Sequence, residues 1–254
     1  MTKEAPTLVT FLLDKSGSMA SCRDSTIEAF NGFVGTLRDA KTPISFTFIQ
    51  FDTTGIDKVY FEKPIKDVPD LNANTYVPNG GTPLIEAATK TIRALEKAIA
   101  AKTEKPKVVF CIQTDGEENS SAAEFTWDAL KALIEAKTKE GWQFNFMGAG
   151  IDAYNQAGQM GIAAMATMSY DHTSKAATRA AFSAHAQNTS AYAAGARAST
   201  HYTMEQRAAS GDKFSGRASG LPSPLAPLVP RKTVIDPHSI DLGGTSKSDL
   251  DLTQ

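Results

Sequence analysis

Asp14, Ser16 and Ser18 alternate along the stretch Asp14-Lys15-Ser16-Gly17-Ser18. In a tight loop that alternation turns one carboxylate and two hydroxyls the same way, and all three are hard oxygen donors. A second carboxylate, Asp115, stands in Gln113-Thr114-Asp115-Gly116-Glu117-Glu118-Asn119, where Gly116 permits a turn. Between the two, Gly80-Gly81-Thr82-Pro83 offers another hydroxyl at the start of a helical pattern. Oxygen donors of this kind suit Mg²⁺, with Mn²⁺ and Ca²⁺ chemically possible. Hydroxyls are weak, neutral ligands, so an ion held largely by them stays electrophilic and draws in an outside carboxylate. That chemistry favours binding over turnover.

Such a site needs elements that bring its segments to one place. Leu8 to Leu13 is an apolar run ended by Asp14, suited to a strand buried on both faces. Ile44–Phe51, Val108–Ile112 and Phe144–Met147 read the same way; Asp57–Phe61 reads as a short edge strand and Ala163–Met168 as a weak one. Helical patterns fall at 22–39, from 84 past Ile99, from 121 to about 139, at 151–160 and, rich in Ala, at 174–198. Thr82 is the expected N-cap and Pro83 the first helical residue of the second helix, although ligation competes for the Thr82 hydroxyl and is favoured. Ser121 and Glu124 have capping-box spacing. Residues 65–81 are polar and rich in Pro, Asn and Gly, hence a loop. Strands alternating with helices predict an α/β fold, a doubly wound, mostly parallel central sheet flanked by helices on both faces. Binding sites in such sheets lie beyond the carboxyl ends of the strands, where the strand order reverses. Asp14 and Asp115 both sit at such ends.

With these residues in place, Asp14-x-Ser16-x-Ser18, Thr82 and Asp115-Gly116 resemble the metal-ion-dependent adhesion site of von Willebrand factor A domains, over roughly residues 7 to 195. The resemblance implies a Rossmann-like fold. It makes Ser16, Ser18 and Thr82 direct metal ligands, with Asp14 and Asp115 acting directly or through water. It also implies the intracellular bacterial or phage type, whose members commonly work in multiprotein assemblies, and a protein partner that offers an Asp or Glu to the metal.

Composition narrows the alternatives. With 41% hydrophobic residues the chain can bury a sizeable core, and its net charge of −2 argues against a nucleic-acid partner. The N-terminus lacks a signal-peptide apolar region and no stretch reaches a membrane span, so a cytoplasmic, membrane-free protein is expected. Cys22 and Cys111 fit a reducing compartment, and Cys22 reads as a small buried residue. The four histidines show no metal-ligand spacing. Met147, Met160, Met165 and Met168 read as core, and Glu117 and Glu118 as a solvated acidic rim. A metal-dependent phosphoryl-transfer enzyme or hydrolase is disfavoured. Position 16 is Ser where an aspartyl nucleophile would want a second carboxylate, and no Gly-x-x-x-x-Gly-Lys-Ser/Thr loop exists. No catalytic residue is therefore assigned. The domain is expected to span residues 1–202, followed by a flexible Pro/Ser/Gly-rich tail at 203–254. Its proline-dense Leu221–Pro230 segment offers a third reading, a scaffold protein that binds mainly through the tail.

Overall fold

In a computed structural model describing residues 6–218, all eight residues of β1 (Thr7–Asp14) are buried. Their side chains divide between two cores, as the two-residue period of a strand requires. Val9, Phe11 and Leu13 face one cluster with Phe30, Phe33 and Phe182; Leu8 and Leu12 face the other with Leu84, Ile92 and Leu95. β1 is therefore the middle of a sandwich of helix layers, and its near-continuous apolar run is what such a position demands.

The other strands are β2 (Ile44–Asp52), β3 (Gly55–Pro64), β4 (Val108–Thr114), β5 (Gln143–Ala149) and β6 (Thr167–Tyr170). They form one sheet in the order β3-β2-β1-β4-β5-β6. All pairings are parallel except β2 with β3, which is antiparallel at the edge. The strand order reverses between β1 and β4. Register pairs Leu13 with Gln113 there, so Asp14 and Thr114 end their strands side by side.

The helices are α1 (Arg23–Arg38), α2 (Leu84–Ala100), α3 (Trp127–Lys139), α4 (Ala153–Gln159), α5 (Lys175–Ala193) and α6 (Met204–Ala209). Helices α1 and α5 cover one face, α2, α3 and α4 the other. Phe11 meets Phe30 edge-on at 5.4 Å and stacks on Phe182 at 5.8 Å, which ties β1 to both helices of its face. Among the described residues no helix is long and apolar enough to cross a membrane.

Three local expectations need correcting. Helix α2 starts one residue later than expected, with Pro83 at its N-cap and no side-chain cap, so the Thr82 hydroxyl is not spent on capping. Helix α3 opens at Trp127, capped by Thr126, whose hydroxyl accepts from the Ala129 N–H. Ser121 bonds to Glu118 and Glu86 instead. Finally, residues 203–218 do not begin a tail. Thr203 and Gln206 form a reciprocal capping box that starts α6, and the Arg207 side chain is buried under it. The proline-dense Leu221–Pro230 segment lies outside the described residues.

Candidate metal centre

The carboxylate of Asp14 has no solvent exposure. Its Oδ1 accepts the Ser16 backbone N–H at 2.6 Å, which fixes the turn, and its Oδ2 accepts the Thr114 hydroxyl at 2.5 Å. From below, the Tyr76 hydroxyl donates to the Asp14 carbonyl at 2.7 Å. The loop is pinned from the side by Gly17 N–H to the Gly80 carbonyl (2.9 Å) and Asn79 N–H to the Lys15 carbonyl (2.7 Å). These bonds hold the Asp14 loop against the segment that leads into α2.

The predicted residues converge. Ser16 Oγ lies 3.1 Å from Ser18 Oγ, and Ser18 Oγ donates to Asp115 Oδ1 at 2.6 Å. A Cβ at Gly116 would sit 3.2 Å from Thr82 Oγ1 and 3.7 Å from Ser18 Oγ. The bare Cα of Gly116 is thus what lets the Thr82 hydroxyl approach the Asp115 loop; a side chain there would press on Thr82 while meeting Ser18 only at ordinary contact distance. One end of β1, one end of β4 and the entry to α2 therefore deliver two carboxylates and three hydroxyls to one spot.

Electrostatics make the spot unusual. Burial pushes the Asp14 carboxyl up to about 6, against hydrogen bonds from Thr114 and Ser16 that pull it down; Asp115 adds to the rise. Asp115 is raised too, again by burial first, with the Ser18 hydroxyl opposing. Neither carboxylate has a Lys or Arg ion pair among the described residues. Lys15, next in sequence, reaches the other way, to Asp57 at 2.8 Å and Asp52 at 3.4 Å. Buried carboxylates without a counter-charge are costly, and a divalent cation among these oxygens would relieve that cost. Among the described residues no group of three or more His, Cys, Asp or Glu forms a metal cage. A cation here would thus depend on hydroxyls as well as the two carboxylates, and the donor set fits a hard, oxygen-seeking ion.

Several participants carry no local sequence signal. Thr114, Tyr76 and Gln156, whose Nε2 donates to the Gly116 carbonyl at 2.9 Å, all fix the site from neighbouring elements. Glu118 is no solvated rim: its carboxylate accepts four hydrogen bonds within the loop and from α2. Glu117 is exposed as expected. Cys22 and Cys111 are buried free thiols. Burial pushes the Cys22 thiol up to about 11, which excludes a resting thiolate nucleophile at neutral pH.

No protein-family model and no curated protein matches the sequence. Solved structures do match its fold. The pilus adhesin SpaC from Lactobacillus rhamnosus GG is similar with a TM-score of 0.52 at 14% identity, covering 75% of this chain and 31% of that one. A von Willebrand factor type A protein from Catenulispora acidiphila gives 0.51 at 15%, covering 75% and 43%. Proximal thread matrix protein 1 from the mussel byssus gives 0.49 at 16%, covering 70% and 46%. The match thus spans less than half of each of these chains. At such identities the likeness establishes the fold: a von Willebrand factor A-like α/β sheet.

Proposed function

We propose that this chain is a divalent-metal-dependent protein-binding module. Asp14, Ser16, Ser18, Thr82 and Asp115 hold Mg²⁺, or Mn²⁺ or Ca²⁺ in its place, and an Asp or Glu of a protein partner completes the coordination. The observation that carries this reading is the Asp14–Ser16–Ser18–Asp115 chain of oxygens, buried at Asp14 and Ser16 and half-buried at Asp115, with no Lys or Arg ion pair among the described residues and only the more distant charge of His172 acting on Asp115. An ion held there would supply a Lewis-acidic centre, and Ser18, one of the residues that would hold it, is exposed. The von Willebrand factor A-like fold supports binding over catalysis, since one matched structure is an adhesin. The two free thiols support a reducing, cytoplasmic setting, and work within a multiprotein assembly follows from the same reading.

Calorimetric titration of the purified chain with MgCl₂ and MnCl₂ tests the first half. One ion per chain is expected, with no binding by Asp14→Ala. Electron paramagnetic resonance of the Mn²⁺ form, with and without added succinate, tests the second: a carboxylate entering the coordination changes the spectrum. A wild-type chain that ignores both metals sinks the proposal.

A further inference from the structure

We infer that Glu118 is a positioning residue of this metal centre: it clamps the Asp115 loop onto the start of α2 and so sets where the Thr82 hydroxyl stands. The inference rests on the metal reading above.

Thr82 and Asp115 reach the site from different elements, and nothing local fixes their separation. Helix α2 (Leu84–Ala100) has Pro83 at its N-cap and no side-chain cap of its own, which leaves its first N–H groups to find partners elsewhere. The Asp115 loop supplies them. Glu118 Oε2 accepts the Ile85 N–H at 2.8 Å, and Ser121 Oγ accepts the Glu86 N–H at 3.0 Å. Glu118 Oε2 also accepts the Ser121 hydroxyl at 2.7 Å, while its Oε1 accepts the N–H groups of Ser120 at 2.8 Å and Ser121 at 2.7 Å. One carboxylate therefore folds its own loop with one oxygen and caps a distant helix with the other. Its charge suits the positive end of that helix.

Asn119 completes the clamp. Its Oδ1 accepts the Thr82 N–H at 2.9 Å, and its N–H donates to the Thr82 carbonyl at 3.2 Å. Thr82 is thus gripped by both backbone groups, three residues before the helix N–H that Glu118 holds. Glu118 itself is no ligand: a carboxylate has about four lone-pair sites, and four donors occupy them here. Its role toward the ion runs through the placement of Thr82.

A double-mutant cycle on Mn²⁺ affinity tests this in the full chain: wild type, Glu118→Ala, Thr82→Ala and the pair, each titrated by calorimetry and checked for folding by circular dichroism. Loss of an outer-shell partner costs about 10-fold or more in metal affinity, and that is the loss expected for Glu118→Ala. In the Thr82→Ala background the same change should cost no more than about twofold, because independent sites add only within that margin. Independent, multiplying losses, or a Glu118→Ala chain that binds as wild type, overturn the inference alone. A wild type that binds no Mn²⁺ overturns the metal reading and this inference together. Should Glu118→Ala fail to fold, Asn119→Ala, which removes the side-chain grip on Thr82 and the bond from the Ser120 hydroxyl but leaves Glu118 in place, enters the same cycle with the same expected pattern.

Discussion

Two buried polar assemblies sit on this sheet, and they solve the problem of burial in opposite ways. Beside β6, Arg207 donates through Nε to the Tyr154 hydroxyl (2.9 Å), through Nη1 to the Tyr202 carbonyl (2.6 Å), and through Nη2 to the carbonyls of Ala164, Met165 and Thr167 at 2.9–3.0 Å. The Tyr154 hydroxyl in turn donates to Asp212 Oδ2 at 2.7 Å, and the N–H groups of Ser169 and Phe214 fill the rest of that carboxylate. The cation is built in, and donors match acceptors. At the ends of β1 and β4, by contrast, Asp14 and Asp115 are joined by hydroxyls and have no Lys or Arg ion pair among the described residues; His172 acts on Asp115 only through its charge. Burial of charge is common to both and so says little about function. What separates them is that no Lys or Arg of the described residues is paired with the second, and that is the feature that marks a binding site.

The largest test of this contrast is to empty the closed assembly. Arg207→Met removes one charge and takes a donor from four carbonyls and a phenol, of which the Ala164 and Met165 carbonyls keep backbone partners. Breaking a buried polar partnership of this kind costs about 3–5 kcal/mol, read as a lower urea midpoint. Mn²⁺ affinity of the folded protein should stay within about twofold of wild type, as for well-separated sites. Unchanged stability would show that the assembly is not closed; lost metal binding in a folded variant would show that the two regions are not independent.

The open assembly should respond the other way. Asp14→Asn can keep the local bonds, because its amide can donate to Thr114 Oγ1 while the Thr114 proton turns to the Gly116 carbonyl, 3.2 Å away. Metal affinity should nevertheless fall about 100-fold, ~2.8 kcal/mol, with the loss of a buried ligand charge. In EDTA the variant should melt no lower than wild type, since it no longer buries an uncompensated carboxylate. A metal-free variant that melts well below wild type would mean Asp14 is a structural residue, as Asp212 is.

The contrast also explains what could be read in the sequence. Asp14, Ser16 and Ser18 lie within five residues, and the strand before them announces itself by an unbroken apolar run, so loop and strand end were both legible. Asp115 and Thr82 were legible because the parallel sheet carries their segments to the same edge. What escaped was every bond made between distant segments. Ser121 and Glu124 have the spacing of a cap, yet the Ser121 hydroxyl serves α2 rather than the helix that follows it. Glu118 looked like one of two surface acids because its partners include Ile85, 33 residues away. Residues 203–218 looked like tail because α6 has only six residues and its anchor, Arg207, bonds to carbonyls that no pattern of side chains can advertise.

The smallest expected effect concerns protons, and there the two regions carry opposite signs. His185 belongs to the closed side: its Nδ1 lies 3.1 Å from the Tyr202 hydroxyl, its ring stacks on Phe33 at 5.3 Å, and its Nε2 has no partner. Burial holds its pKa down to about 3, from an ordinary 6.5. Between those values the unfolded chain binds a proton that the folded chain refuses, so stability is full above pH 6.5 and drains as pH falls. From pH 6.5 to 5 the loss should be about 2 kcal/mol. Asp14 works against it. Its carboxyl is raised from 3.8 to about 6, so without metal the folded state binds the extra proton and gains stability as pH falls through 6. Wild type in EDTA should therefore show a shallow pH profile, the two slopes partly offsetting each other. Asp14→Asn in EDTA should steepen the profile toward the His185 slope, with the raised Asp115 and Asp212 still opposing and the lowered His201 adding to it, and adding His185→Gln should make it markedly shallower. Urea midpoints at pH 6.5 and 5 decide the matter: a profile equally shallow in wild type and Asp14→Asn would deny that the metal-free site holds a strained carboxylate.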